Sequence, residues 1–422
     1  MNKLKNGIKL LLVKNNQKYI NIDFAYRVGN KDEKKNQRGF AHLLEHLFLR
    51  STKDKKYSEI INELEQYGSQ VNACTKQEFT HFFMDCLTSQ FKNSFNLFLD
   101  LITNDFYDNQ EYVKSIQIIN EEIELYRKSP IDILKDTLNK NIYDCGMRHS
   151  ITDTKFDNIP GLENVIRFKN KYYCNNNLTV TIAGKISNSI KKFIINKLNL
   201  MKSNIGSIDA DLISLKNVLP LPNEVLNCKQ FIIGKRHIYH TNNFEDFIKI
   251  KILGKILGGS MTSRLFTYLR EDKGLVYSVY SYSDMFINHA TLTIIAYVCS
   301  DKYKEVASLL ELNLSANEIK KIKPIEFNKA KLQLLLNFAK EFSINGTLAQ
   351  FVSECYSIYS VQMSYKKLIK FIKNISYDNF FKFCNSSNFN WYNSLIQYWY
   401  FNEFKNIQLS LHYLNLYINA LY

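Results

Sequence analysis

The chain has 422 residues and carries 55 Lys and Arg against 40 Asp and Glu, a formal net charge of +15. Hydrophobic residues make up 45% and only 5 prolines and 14 glycines occur, which excludes a disordered or low-complexity chain and provides for more than one packed core. The basic residues fall in short clusters at 31–35, 53–56, 320–321 and 366–367, without the aromatic-interleaved basic stripe of a nucleic-acid binder, so the charge reads as solvated surface and no nucleic-acid partner is expected.

In chain order, 7–14 and 19–28 are apolar and β-branched, separated by Lys14-Asn15-Asn16-Gln17, and predict a hairpin. The first of these runs is interrupted by Lys9 and too short for a signal peptide, so no presequence is expected. A charged loop, 31–38, leads to Gly39-Phe40-Ala41-His42-Leu43-Leu44-Glu45-His46-Leu47-Phe48-Leu49. On a helix, His42 and His46 fall on one face, about 40° apart around the axis, with Glu45 one residue before the second. Two imidazoles so placed grip one metal ion and set a carboxylate beside it. This is the inverted zincin pattern, H-x-x-E-H, in which the histidines bind zinc and the glutamate is a general base.

Beyond the motif a helix is expected at 57–67, stopped by Gly68, then strands at 70–75 and 79–87. Helices follow at 89–104 and 108–128, the second with Val113, Ile116, Ile119, Ile123 and Tyr126 on one face, before Pro130. Residues 131–176 read as irregular and helical, 177–184 as a strand and 187–200 as a helix. Periodicity fades over 201–225. The grammar then repeats: a strand at 230–240, helices at 244–257 and 261–271, strands at 275–286 and 289–299, and helices to about 385. Two halves with one order of elements predict a duplicated α+β unit, each half a mainly antiparallel sheet flanked by helices. The expected division is 1–204, a linker at 205–225, and 226–422. The 8 cysteines form no C-x-x-C pair and read as free thiols of a reducing compartment. With no apolar run long enough to span a membrane, the expected location is the cytoplasm.

Several of these segments together resemble the insulinase/pitrilysin family of zinc metallopeptidases, most closely its shorter members similar to the mitochondrial processing peptidase. Gly29 and Gly39 to His46 resemble the family's metal-site entry. Tyr67-Gly68-Ser69-Gln70-Val71-Asn72-Ala73-Cys74-Thr75, with Glu78 and Thr80, resembles its "G-x-x-x-N-A-x-T-x-x-E-x-T" strand pair. The family's third ligand is a glutamate about 76 residues past the second histidine. Glu122 falls there, and helix phase with the following "E-I-x-x-Y-x-x-x-P" register favours it over Glu121. In the second half, Gly258 to Phe266 followed by Leu269 to Ser278 is similar to the family's "G-G-x-x-x-S-R-L-x-x-x-L-R-x-x-x-G-L-x-Y-S" segment.

The resemblance implies one Zn²⁺ per chain on His42, His46 and Glu122, with Glu45 as base. It implies a peptide laid along the edge at Asn72 and Ala73, and Arg270 with Tyr277 reaching the substrate from the second half. Tyr277 would also help to stabilise the oxyanion. The halves would enclose a chamber for unfolded peptides, and the chain would pair as a homodimer or with a related chain. The alternative is a non-catalytic or weakly active partner subunit that binds peptides. Two departures stand out: Ser115 replaces a supporting glutamate seven residues before Glu122, and Lys128 replaces an acidic residue before Pro130. The stretch 390–422 matches nothing in the family pattern.

Overall fold

The computed structural model describes residues 2–206, 214–217, 230–387 and 389–398. Its first half contains β1 (Asn2–Lys3), β2 (Lys9–Lys14), β3 (Tyr19–Tyr26), α1 (Phe40–Leu47), α2 (Tyr57–Gln66), β4 (Gln70–Thr75), β5 (Thr80–Leu87), α3 (Phe91–Ile102), α4 (Asn109–Tyr126), α5 (Pro130–Ile142), α6 (Leu162–Tyr172), β6 (Leu178–Gly184) and α7 (Asn188–Leu200). The strands form one sheet in the order β1-β2-β6-β3-β5-β4, antiparallel throughout except for β2 beside β6.

The hairpin expected from 7–14 and 19–28 does not form, because β6 lies between its two strands. Every residue of β6 is buried, so this strand needs a neighbour on both edges, and β2 and β3 supply them. The Asn15 N–H donating to Gly184 O closes the crossing.

The second half contains β7 (Gln230–His240), α8 (Phe244–Leu257), β8 (Val276–Phe286), β9 (His289–Cys299), α9 (Tyr303–Asn313), α10 (Ala316–Ile319), α11 (Pro324–Glu341), α12 (Asn345–Tyr359), α13 (Tyr365–Asn374), α14 (Tyr377–Ser386) and β10 (Trp391–Tyr398). Its antiparallel sheet has the order β10-β7-β9-β8. Set beside β6-β3-β5-β4, this is the same arrangement of four strands, so the halves are two copies of one α+β unit. The start of the unmatched tail therefore has a place: β10 takes the position of β6 and pairs with β7 over eight residues, Trp391 opposite His237 through Tyr398 opposite Gln230. The helix expected at 261–271 is a turn followed by a π-helix, Phe266–Asp272.

The two units exchange helices. Leu134, Leu138 and Ile142, four residues apart on α5, pack on Ile232, Ile295 and Tyr392 of the second sheet. Gly234 permits that approach, since a Cβ there would stand 3.0 Å from a Leu138 methyl and 3.1 Å from one of Leu134. In return, Leu348, Ala349, Val352 and Cys355 of α12 share a core with Leu11, Val13 and Ala183 of the first sheet. Most of the expected linker lies outside the described residues. The described piece, 214–217, is tied down where Leu215 bridges Tyr143 and Asp144 N–H donates to Ser214 O.

Candidate metal centre

Helix α1 is only eight residues long, apolar and buried on most of its surface, and its start is held by two devices. Gly39 precedes it at φ +87, and a Cβ there would meet the Phe156 ring at 2.7 Å, so only glycine makes the turn without strain. The buried Glu33 carboxylate accepts from Gly39 N–H and Ala41 N–H, each at 2.8 Å, and covers two amide donors at the positive end of the helix. Burial pushes the Glu33 carboxyl up to about 8, against the pull of those two amides. The sequence offered no signal for this cap, which depends on how the charged loop folds back.

Helix α4 begins at Asp108, whose carboxylate accepts from Gln110 N–H and Glu111 N–H. It buries Tyr112, Ser115, Ile116, Ile119 and Ile123, while Val113 and Tyr126 of the expected face are only half-buried. That phase leaves Glu121 exposed and turns Glu122 toward α1. The Glu122 Oε2 lies 3.5 Å from His42 Nε2 and 3.2 Å from His46 Nε2, and the two Nε2 atoms are 3.1 Å apart. A tetrahedral zinc with bonds of about 2.0–2.1 Å has ligand–ligand edges of roughly 3.3 Å. The triangle fits that ion, and the three residues are the single group of metal-ligating side chains so gathered among the described residues. Burial raises the Glu122 carboxyl, but the two imidazoles outweigh it and hold it well below the usual carboxylate range. Two imidazoles and one carboxylate are a donor set that could hold such an ion.

The Glu45 Oε2 accepts from Thr75 Oγ1, on β4, at 2.6 Å. Strand β4 is the open edge of the first sheet. Asn72 and Ala73 lie on it opposite Phe83 and Phe82, and Ala73 N–H is held by the Asn72 side-chain oxygen at 2.9 Å. Ser115 does not support the triangle: it is buried and its hydroxyl donates to Glu111 O at 2.8 Å, within its own helix. His42 Nδ1 is buried without a hydrogen-bond partner among the described residues.

Among the described residues, no hydrogen bond, ion pair or ring contact joins Arg270 or Tyr277 to the triangle. Arg270, on the π-helix, lies over the Phe266 ring at 4.7 Å and beside Glu271. Tyr277 is 84% exposed and occupies a break in register, since Val276 pairs with Val298 and Ser278 with Tyr297. A π-turn and a β-bulge both re-aim side chains out of regular geometry, and here one carries the arginine and the other the tyrosine.

Residues 9–154 match the family model described as "Insulinase (Peptidase family M16)", and residues 161–334 match "Peptidase M16 inactive domain". The chain belongs to the insulinase (M16) family. Among its relatives, it is 27% identical to "Uncharacterized zinc protease YmxG" of Bacillus subtilis, over 78% of this chain and 81% of that one. It is 25% identical to an "Uncharacterized zinc protease" of Rickettsia bellii, over 89% and 91%, and 24% identical to "Zinc protease PqqE" of Helicobacter pylori, over 85% and 82%. In fold it is similar to the crystal structure of a protease from Helicobacter pylori, with a TM-score of 0.79 at 19% identity over 94% of this chain and 98% of that one. A chain of complex III from Candida albicans is similar too, with a TM-score of 0.77 at 15% identity over 94% and 95%. As a member of the M16 family, the chain is peptidase-like in kind.

Proposed function

We propose that the chain is a zinc-dependent endopeptidase acting on unfolded or short peptides, including leader or precursor segments. The observation that carries this reading is the triangle of His42, His46 and Glu122 with Glu45 at the end of an open strand edge. These residues would hold one zinc ion, which when bound supplies Lewis acidity toward a carbonyl and toward water. Glu45 has one oxygen engaged by Thr75 and the other available to take a proton from the attacking water and to pass it to the leaving amine. The edge at Asn72 and Ala73 would bind the peptide backbone by strand addition, which leaves sequence preference to side pockets. Arg270 and Tyr277 would contact the substrate from the second half, the arginine on a backbone carbonyl and the tyrosine on the developing oxyanion.

Three features support the wider reading. The described cysteines are free, in keeping with a reducing, cytoplasmic setting. No helix of the described residues is long and apolar enough to cross a membrane. The sheets β6-β3-β5-β4 and β10-β7-β9-β8 share one arrangement, in keeping with a division into 1–204 and 226–422, and we propose a second copy or a related chain as the partner.

The test is Glu45→Gln, which is expected to keep zinc and lose turnover of an unstructured quenched peptide by at least ~10²-fold. Unchanged hydrolysis would remove the assignment. One observation favours a second reading, a weakly active or non-catalytic partner subunit: the Ser115 hydroxyl donates to Glu111 O within its own helix and so gives the triangle none of the outer support that tunes catalytic zinc. Tight peptide binding by the zinc-loaded protein without cleavage would establish that reading instead.

A further inference from the structure

We propose that Thr75 is a positioning residue for Glu45, holding the base in register with the peptide edge; the inference rests on the peptidase reading above. The Thr75 hydroxyl donates to Glu45 Oε2 at 2.6 Å, across 30 residues of sequence, a length typical of a hydroxyl on an ionised carboxylate. It is the side-chain hydrogen bond that the Glu45 carboxylate makes among the described residues. Glutamate has three rotatable side-chain bonds, and Glu45 is only half-buried, so packing alone does not select one rotamer. The hydrogen bond does, and it reserves the second carboxylate oxygen for the reaction.

Thr75 is itself rigid. Its branched Cβ restricts χ1, and its backbone forms the last rung of β4, opposite Thr80. Strand alternation sets it in the row of Val71 and Ala73, which pack against the core that contains α1. The next residue is anchored from three sides: Lys76 N–H donates to Phe79 O at 2.7 Å, Lys76 O accepts from Asn30 N–H, and Lys76 Nζ lies 2.7 Å from Glu354 on α12 of the second unit. Ala73, on the proposed peptide edge, and Thr75, on the base, are therefore two residues apart on one fixed strand. A peptide in register with Ala73 is in register with the Glu45 carboxylate.

The experiment compares Thr75→Val, which keeps shape and removes the hydroxyl, with Thr75→Ser, which restores it, and Thr75→Ala as a second hydroxyl-free variant. The expected result is a fall in kcat of roughly 10- to 100-fold in the valine and alanine variants with KM within twofold, and recovery in serine to within a few-fold of the parent. Zinc content, and the dissociation constant of an uncleaved peptide measured by anisotropy in the Glu45→Gln background, are expected to stay within twofold. Parental kcat in Thr75→Val, a loss confined to KM or to peptide affinity, or a serine variant as impaired as valine would each overturn the proposal. Parental turnover in Glu45→Gln would overturn the base reading itself and this inference with it, whereas an inactive Glu45→Gln beside a fully active Thr75→Val removes only the role of Thr75.

Discussion

His81→Asn is expected to loosen the contact between the two units in a pH-dependent way. His81 is fully buried on β5, with Nδ1 3.0 Å from Asp23 on β3 and Nε2 3.1 Å from Glu354 on α12. The groups around it are Asp23, which also accepts from Ser353 at 2.5 Å, Glu354, Lys76, which reaches the same Glu354 oxygen as His81, and the Cys74 thiol on the opposing strand. Burial disfavours the imidazolium, but the two carboxylates more than reverse that and raise its pKa above the ordinary value of 6.5. A raised folded-state pKa means stability that is fully present below pH ~6.5 and is lost as pH rises through the folded value. Glu354 works in the other direction: although burial opposes it, Lys76 and His81 hold it down at about 2, so its contribution is present above pH 4.5 and lost as pH falls toward 2.

Replacing His81 by Asn leaves two buried carboxylates with less compensation, which costs about 3–5 kcal/mol. With an unfolding entropy of about 2.1 cal/mol/K per residue, a chain of this length loses roughly 3–6 °C of Tm. Thermal unfolding followed by circular dichroism at pH 6 and pH 9 is the assay. The Tm gap between parent and variant is expected to be largest at pH 6 and to narrow at pH 9. An equal gap at both, or none at pH 6, would refute the argument.

Two further outcomes are expected. Zinc added to metal-stripped protein at about 100 times its Kd raises stability by about 2.7 kcal/mol, and Glu122→Ala should abolish most of that rise; an undiminished rise in the variant would place the metal elsewhere. Leu138→Ala, fully buried where α5 meets the second sheet, should cost about 2–5 kcal/mol by urea unfolding, and a cost below about 1 kcal/mol would show that the helix exchange contributes little to stability.

Much of this protein is legible in the letters. Strands 70–75 and 289–299 and helix 244–257 stand where period and punctuation put them, because alternation and helical spacing are local properties read within one turn or one pleat. The triangle was anticipated by H-x-x-E-H together with the family spacing to residue 122, and the choice of Glu122 over Glu121 follows the phase of α4 about Ile119 and Ile123. The pairing of β2 and β3 was not legible, since nothing in a four-residue connection tells whether a strand from 170 residues later will insert between its ends. Residues 391–398 gave no strand signal of their own, and their place is set by the empty edge of β7.

Around the opening motif, then, the sequence by itself determined the side-chain types, their helical spacing and the presence of a neighbouring acid. Tertiary structure alone decided what surrounds them: Glu33 at the start of α1, Thr75 on Glu45, Lys76 and His81 tied to a helix of the other unit. The physical reason is that period and spacing encode what one helix or strand presents. A hydrogen bond between residues 30 or 273 apart exists only after the sheets have formed and the two units have exchanged α5 and α12.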